Sequence, residues 1–318
     1  MYPIVNVPPD APTDIETVGS KRKFWYTRLV EEAPEGQSRE EEWLFKAARQ
    51  HTGEDWSEKV AAELCDLLGL PHATYELARW TERRDDTSTD WKGVVTRRME
   101  GRNERLMLGN ELLAGHVNRY PRVQEDRFYL NPKYTLDLTL TALEDTELRV
   151  RLNPDWTLLA GVSTVPGVFV GFLLLDAWIG NTDRHDNNWG VIERSTSEGG
   201  QRVLAPTFDH ASSLGRELRD AERHERLTTN DRNRTIQAYV DRCRSAFFAE
   251  EDDDEPMHPT DAFQQAAQEL PDAADAWLQR LATIYPADVE DIFARLPEER
   301  ISEVSIEFAL QQLAINRH

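Results

Sequence analysis

The sequence predicts an α+β fold in two lobes, a small β-rich lobe over residues 1–100 and a large, mostly helical lobe over residues 101–318. Two aromatic and apolar runs in the first lobe, FWYTRLV at 24–30 and EWLFKAA at 42–48, have the residue types of β-strands. In the second lobe, the strongly apolar run VFVGFLLLDAWI at 168–179 predicts a buried helix.

The clearest helix of the first lobe is DWSEKVAAELCDLLG, at 55–69. Its apolar residues recur at the helical period, and a Gly-Leu-Pro sequence starting at Gly69 predicts its end. Asp55 and Glu58 have the spacing of a capping box, which predicts the start of the helix at Asp55.

Four more segments complete the expected order of the small lobe. Polar residues predict loops at 31–42 and 81–90, whereas ATYELARW at 73–80 and WKGVVTRRM at 91–99 predict strands. The last strand would lead into the connection between the lobes.

The large lobe is expected to be mostly helical over 106–180, with a polar break at 118–133, and again from residue 261. Between these parts, VLAPTFDHA at 203–211 predicts a short strand followed by a turn that carries Asp209. The acidic run EEDDDE at 250–255 is expected to be a solvated loop rather than a metal site.

The charge balance restricts the classes of partner. With 58 acidic and 37 basic residues the net charge is −21, which argues against direct nucleic-acid binding and against docking on an anionic membrane. Cys65 and Cys243 lie in helical patterns without metal-ligand spacing, so we expect reduced, buried thiols in a cytoplasmic protein. The N-terminus has no signal-peptide pattern, and the longest apolar run is too short to span a bilayer.

Chemistry-bearing residues concentrate in two stretches, GNTDRHDNNWG at 180–190 and FDHASS at 208–213. The first directly follows the apolar helix, and Asp176, about one helical turn earlier, is expected to hold the backbone of the loop through hydrogen bonds. Within six positions the loop contains Asp183, His185, Asp186, Asn187 and Asn188.

A carboxylate, a carboxamide five residues later and a second carboxylate are the parts of a phosphoryl-transfer site. Asp183 would orient the attacking hydroxyl, while Asn188 and Asp209 would hold magnesium on the phosphates. The D-x-x-x-x-N spacing equals that of the protein-kinase catalytic loop. The alternative is an ordinary surface turn, because Asn, Asp and Gly are common in turns. The position after a buried helix and the second Asp after a strand favour the site.

NTDRHDNN followed by FDHASSLG resembles the C-terminal kinase core of the HipA-like serine/threonine kinases, which carry N-x-D-x-H-x-x-N and then an Asp after a strand. DRHDNN is also similar to the D-R-H-x-x-N of phosphoinositide kinases, which share the broader kinase fold. Those enzymes have D-F-G where this chain has Asp209-His210-Ala211, and this difference favours the HipA-like family. The resemblance covers 168–215 most strongly, extends to 19–70 and is weak beyond 215.

The resemblance implies a two-lobed, protein-kinase-like fold and an ATP- and Mg²⁺-dependent serine/threonine kinase. It assigns Asp183 to orienting or deprotonating the acceptor hydroxyl, and Asn188 and Asp209 to magnesium. Arg184 and His185 would support the loop or the developing charge, and a purely structural histidine is the alternative for His185.

In the small lobe the resemblance makes Lys46 the lysine that contacts ATP. The alternative is a strand-end lysine whose ammonium reaches solvent. Glu58 lies eleven positions before Gly69, as a glutamate does in the family, so we expect it to pair with Lys46. Glu63 is a second candidate for that pair, and Glu58 could instead serve only as a cap residue.

The phosphate side of the nucleotide would be covered by the GSKRK loop at 19–23, including Gly19, Ser20 and Lys21. With one glycine, it departs from the usual glycine-rich loop. By analogy with relatives, Ser20 is a candidate for autophosphorylation, and the added negative charge would repel the ATP phosphates.

The expected partner is a protein substrate, and the family resemblance adds a possible antitoxin-like regulator. Because Lys46 comes so early, we expect the chain to lack the extra N-terminal subdomain of longer family members. Two other functions stay open. The acceptor could be a lipid or small molecule, as for phosphoinositide kinases, or the chain could be a regulatory pseudokinase that binds ATP without transfer. The missing basic surface argues against a lipid, and the complete set of Asp183, Asn188 and Asp209 argues against a pseudokinase.

Overall fold

The computed structural model of the protein describes most of the chain. The described residues are 1–12, 14–16, 22–32, 37–84, 87–101, 103–121, 131–196 and 199–317. They form ten strands and ten helices.

The N-terminal lobe is built on a six-stranded sheet in the order β1-β5-β6-β4-β3-β2. Its strands are Ile4–Val7 (β1), Asp14–Glu16 (β2), Lys23–Glu32 (β3), Gln37–Ala47 (β4), Tyr75–Arg84 (β5) and Thr87–Arg97 (β6). β1 pairs with β5 in parallel, and the other neighbours are antiparallel. All four strands predicted in this lobe are present, and the structure extends three of them well into stretches predicted as loops.

The described parts of the polar stretches at 31–42 and 81–90 are strands, so the prediction of loops is wrong for them; residues 33–36 and 85–86 lie outside the described residues. Strand β4 begins at Gln37, and β5 and β6 continue to Arg84 and from Thr87. These strand ends form long hairpins in which polar side chains pair across the ladder; the Thr81 hydroxyl, for example, donates to the Asp90 carboxylate over 2.6 Å. Such cross-strand polar pairs stabilise a hairpin without burying apolar side chains. The alternation of apolar and polar residues that usually indicates a strand is therefore absent from these segments.

Helix α1, Glu54–Leu68, packs against this sheet and ends at Gly69, whose φ of 70° is left-handed. The predicted capping box is wrong. The helix begins one residue earlier, after Gly53, and no side chain caps its first turn. Asp55 and Glu58 are both buried and serve tertiary contacts instead, Asp55 with Arg300 and Glu58 with the backbone of His210.

The C-terminal lobe combines a small sheet with nine helices among the described residues. The sheet has the order β7-β9-β10-β8 and consists of Glu104–Leu108 (β7), Val150–Arg151 (β8), Gly190–Thr196 (β9) and Gly199–Leu204 (β10). The helices are Gly109–His116 (α2), Leu136–Glu144 (α3), Val165–Ile179 (α4), Asp220–Thr228 (α5), Ile236–Val240 (α6), Pro259–Glu269 (α7), Pro271–Ala282 (α8), Pro286–Ala294 (α9) and Glu303–Asn316 (α10). The region 106–180 is therefore less helical than predicted, because β7 extends into it and β8 lies within it.

Helix α4 is the central element of the large lobe. Every one of its residues is buried, because it is apolar on all sides and α3, α7, α8 and α10 pack around it. It ends, as predicted, at Gly180, which has a left-handed φ of 64°. The helix therefore delivers the following polar loop from a rigid support.

The two lobes share one core. Val60, Leu64 and Leu68 of α1 belong to the same buried cluster as the residues of α4. A second, separate cluster on the small-lobe sheet contains Phe24 and Trp80, whose rings lie 4.7 Å apart.

Both Cys65 and Cys243 are buried free thiols, as predicted. Within the described part of the chain, no helix is both long and apolar enough to cross a membrane.

A glycine in α4 permits its close contact with α8. A Cβ atom on Gly171 would come within 2.6 Å of the Trp277 ring and 2.7 Å of Leu70 Cδ1. We therefore expect Gly171→Ala to lower the free energy of unfolding by about 1–3 kcal/mol, measured by urea denaturation. Gly115→Ala is the matched control on α2, where the nearest atom would be Leu148 Cδ2 at 3.6 Å, an ordinary contact. Equal effects of the two substitutions would contradict the packing explanation.

Candidate active site

The loop after α4 is organised around a buried guanidinium group. Arg184 is fully buried and donates from Nε and Nη2 to the two oxygens of Asp176, over 2.7 and 2.8 Å. Its Nη1 donates to the backbone carbonyl of Asn188 over 2.7 Å and to that of Phe208 over 3.2 Å. Asn181 completes the arrangement by donating from Nδ2 to Asp176 over 2.8 Å. The predicted structural role of Asp176 is confirmed, although it holds the loop through side chains.

Asp183, the predicted catalytic carboxylate, is held through its backbone and both carboxylate oxygens. Its backbone N–H donates to Asn181 Oδ1 over 3.1 Å, and its Oδ2 accepts from the Ser212 hydroxyl over 3.2 Å. Its Oδ1 lies 3.6 Å from His185 Nε2. Burial raises the pKa of the Asp183 carboxyl, His185 opposes this, and the Asp209 charge adds to it. The raised pKa favours the acceptance of a proton by Asp183.

His185 and Asn188 shape the loop around this carboxylate. His185 Nδ1 accepts from the backbone N–H of Asn187 over 3.1 Å, which places the ring proton on Nε2, the nitrogen nearer Asp183. Asn188 donates from Nδ2 to the backbone carbonyl of Asp183 over 2.6 Å. That bond fixes the orientation of the amide group. The carboxamide oxygen, which carries the lone pairs, is the atom with which Asn188 would bind a metal ion.

Asp209 follows β10 in a left-handed conformation, with φ of 59°, and so turns its side chain toward the small lobe. Its Oδ2 lies 3.1 Å from Lys46 Nζ, and its backbone N–H donates to the Tyr75 hydroxyl over 3.0 Å. Burial would lower the pKa of Lys46, but the Asp209 carboxylate, then Tyr75 and Glu58, raise it above its ordinary value. Lys46 is therefore a charged residue of the site rather than a strand-end lysine directed into solvent.

The predicted ion pair between Lys46 and Glu58 is not formed between these two described residues. Glu58 is buried, and its Oε1 accepts from the backbone N–H of His210 over 2.7 Å and lies 3.3 Å from His210 Nδ1. The other candidate, Glu63, pairs with Lys59 at 2.5 Å. The reason is that the Glu58 carboxylate is used to fix the turn after Asp209, and Asp209 itself is the partner of Lys46. Glu58 thus acts on Lys46 only through its charge.

Three residues that the motif did not assign contact the site. Tyr75 and Ser212 bind Asp209 and Asp183 directly, and Arg216 donates to the Ser212 hydroxyl over 2.9 Å. Ser212 lies within the FDHASS stretch, but its spacing carries no signal for this contact, since the bond depends on how two loops meet. Gly19, Ser20 and Lys21, predicted to cover the phosphates, lie outside the described residues.

The donor set suits magnesium bound together with phosphate. Among the described residues, no group of three or more His, Cys, Asp or Glu side chains could by itself hold a metal ion. A kinase site does not need such a group of side chains, because one Asp and one Asn hold the ion and the nucleotide phosphates supply further oxygens. Asn188 and Asp209 are the residues that would form such a pair, and Asp209 lies against Lys46.

Together, the β-rich lobe with α1, the helical lobe and the loop between them form the two-lobed fold of the protein-kinase class. The chain is similar over 99% of its length to the crystal structure of a Helicobacter pylori proinflammatory kinase, CtkA, with a TM-score of 0.64 and 19% identity over 94% of that chain. This likeness confirms the predicted fold class. A scan against protein-family models gave no match, and neither did a search of curated proteins.

Proposed function

We propose that the protein is an ATP- and Mg²⁺-dependent kinase of the HipA-like type, which transfers the γ-phosphoryl group to a serine or threonine hydroxyl of a protein. The observation that carries this proposal is that a kinase-like fold brings two residue pairs together. Asn188 bonds to Asp183, Lys46 lies 3.1 Å from Asp209, and Arg184 bonds to the backbone of both loops, through Asn188 and Phe208. The four residues come from three separate parts of the sequence, which an incidental surface turn would not bring together.

Each residue has a distinct task in this proposal. When bound, ATP supplies the phosphoryl group and Mg²⁺ neutralises charge on the phosphates. Asp183 orients the acceptor hydroxyl and takes its proton, for which a carboxylate with a raised pKa is better suited than an exposed one. Asn188 and Asp209 hold the metal ion through their oxygens. Lys46 stabilises phosphate oxygens, and Arg184 holds the loop in shape.

A protein acceptor agrees with the charge of the chain better than a lipid does. Each Lys or Arg near an anionic membrane contributes about 1 kcal/mol to binding, and acidic residues oppose it. Arg97, Arg98 and Arg105, next to the lobe connection, are already paired with glutamates. An acidic surface instead favours a basic protein segment around the acceptor hydroxyl, in the chain itself or in a cytoplasmic target. An antitoxin-like regulator is a further proposed partner.

The test is incubation with γ-labelled ATP and Mg²⁺, followed by separation of protein and lipid products and by phosphoamino-acid analysis. We expect label on serine or threonine, none on phosphoinositide vesicles, and no label when EDTA removes the metal ion. Binding of ATP without any transfer would instead support a pseudokinase, and labelled lipid would move the acceptor to the other class.

Asp209→Asn should weaken the binding of Mg²⁺-ATP by about 10- to 100-fold, because a charged metal ligand is replaced by a neutral one. Asn tolerates the left-handed backbone of this position, so the substitution changes charge without adding strain. Calorimetric titration with a non-hydrolysable ATP analogue, with and without Mg²⁺, measures the effect. Asp275→Asn, on the exposed side of α8, is the matched control. An unchanged Mg²⁺ dependence in Asp209→Asn would contradict the metal assignment.

A further inference from the structure

The segment after Asp209 turns back toward the catalytic loop and touches it through one serine. The Ser212 hydroxyl donates to Asp183 Oδ2 over 3.2 Å, and the Ser212 carbonyl accepts from the backbone N–H of Thr182 over 3.1 Å. Arg216 Nη2 donates to the same hydroxyl oxygen over 2.9 Å. The catalytic carboxylate is thus connected to a residue outside its own loop.

We propose that Ser212 and Arg216 are positioning residues for Asp183. They hold Oδ2, so that Oδ1, which lies 3.6 Å from His185 Nε2, faces the acceptor hydroxyl. This inference rests on the proposed function, since it concerns the geometry of the same phosphoryl-transfer site.

The direction of the hydrogen bonds follows from their donors. A guanidinium group can only donate, so the Ser212 oxygen must accept from Arg216. The single hydroxyl proton of Ser212 then points to Asp183, whose ionised carboxylate can only accept. Arg216 therefore fixes the rotation of the hydroxyl, and a freely rotating serine would hold Asp183 less well.

Arg216 is itself fixed to the start of helix α1. Its Nη1 donates to Glu54 Oε1 over 2.8 Å, and its backbone carbonyl accepts from the N–H of Gly53 over 2.7 Å. Glu54 is buried and also accepts from Arg49 Nη1 over 2.7 Å. Because Arg49 remains bound to Glu54, substitution of Arg216 does not leave a buried carboxylate unpaired.

The chain of contacts has a kinetic consequence. A displacement of a catalytic group by about 1 Å can cost about 10²-fold in rate. Ser212→Ala should therefore lower kcat by about 10- to 100-fold and leave the KM for ATP unchanged, because Lys46, Asn188 and Asp209 keep their places. Ser212→Thr, which retains the hydroxyl, should keep most of the activity.

Arg216→Gln should also lower kcat in the wild-type background, but it should add little to Ser212→Ala, because both act through the same hydroxyl. Ser213→Ala is the matched control. This neighbouring buried serine bonds to the His210 carbonyl over 2.7 Å and to Ser57 over 2.9 Å, in the same segment. Two results would overturn the proposal. One is a loss of kcat in Ser213→Ala equal to that in Ser212→Ala. The other is a double variant in which the fold-losses of Arg216→Gln and Ser212→Ala multiply.

Crystal structures of the wild type and of Ser212→Ala provide a readout that does not require activity. The proposal expects the Asp183 carboxylate to move by about 1 Å or to change rotamer in the variant. An unmoved Asp183 overturns the proposal, even if kcat falls. If the wild type transfers no phosphate, the proposed function fails, and the position of Asp183 in the two structures still decides this inference.

Discussion

Replacing Asp183 with asparagine is expected to lower kcat for phosphate transfer by about 10²- to 10⁴-fold, the usual contribution of a general base. The amide has the shape of the carboxylate, and its oxygen can still accept from the Ser212 hydroxyl. The negative charge that would take the hydroxyl proton is lost. Binding of ATP should change little, because Lys46, Asn188 and Asp209 are intact.

Initial rates with labelled ATP and calorimetric binding of a nucleotide analogue measure the two parts of this prediction. Asp231→Asn is a suitable control, since Asp231 is exposed and its side chain accepts from the backbone N–H of Asn233. A wild-type kcat in Asp183→Asn would contradict the assignment of the base. Equal losses of ATP binding and of kcat would place Asp183 among the nucleotide ligands instead.

The largest expected effect on stability concerns Arg300, in the segment between α9 and α10. Its side chain is fully buried and donates to Asp55 Oδ2 over 2.7 Å and to the backbone carbonyl of Ala78 over 2.8 Å. Arg300→Ala leaves the buried Asp55 carboxylate without its cation, so we expect a loss of about 3–5 kcal/mol in the free energy of unfolding. Urea denaturation measures this loss.

Two further measurements separate this explanation from lost packing. Burial raises the pKa of Asp55 although Arg300 opposes it, so in Arg300→Ala the carboxyl is protonated more readily in the folded protein than in the unfolded chain. The protonated carboxyl needs no cation, so the deficit relative to the wild type should be smallest at acidic pH. It should grow as pH rises through the folded wild-type pKa of Asp55, which lies above the ordinary Asp value of about 3.9.

Arg79→Ala is the control at the same junction. Arg79 makes an exposed ion pair with Glu299 at 2.9 Å, and such pairs contribute about 1 kcal/mol or less. The double substitution of Asp55→Asn with Arg300→Met should cost less than Arg300→Ala alone, because it removes both charges. A pH-independent deficit would contradict the role of the unpaired carboxylate.

The loop at 180–190, the candidate catalytic loop, could be predicted from sequence because its parts are close in the chain. The residues from Asp176 to Asn188 bond mainly among themselves, so their spacing determines much of their geometry. The short strand predicted before Asp209 is present, since β10 ends at Leu204. In both segments, contacts between residues that are close in the chain determine the structure.

The residues that the sequence did not reveal depend on contacts between distant segments. Arg300 and Asp55 are separated by 245 positions, and the preference of Lys46 for Asp209 over Glu58 depends on how the lobes meet. Asp55 and Glu58 have the spacing of a capping box, but neither caps the helix. Their side chains make tertiary contacts instead, which the local pattern does not reveal. The hairpin ends were missed because their polar pairs replace the burial that usually marks a strand.

Helix α1 belongs by sequence to the small lobe, yet Val60, Leu64 and Leu68 are buried in the core of the large one. Glu58 holds the turn after Asp209, and Asp55 holds Arg300, so this helix is bonded to two widely separated segments of the large lobe. We therefore expect the two lobes to unfold in a single cooperative transition. A fragment cut near residue 100 would expose this apolar face to water, and aggregation rather than an independently folded lobe is the consequence.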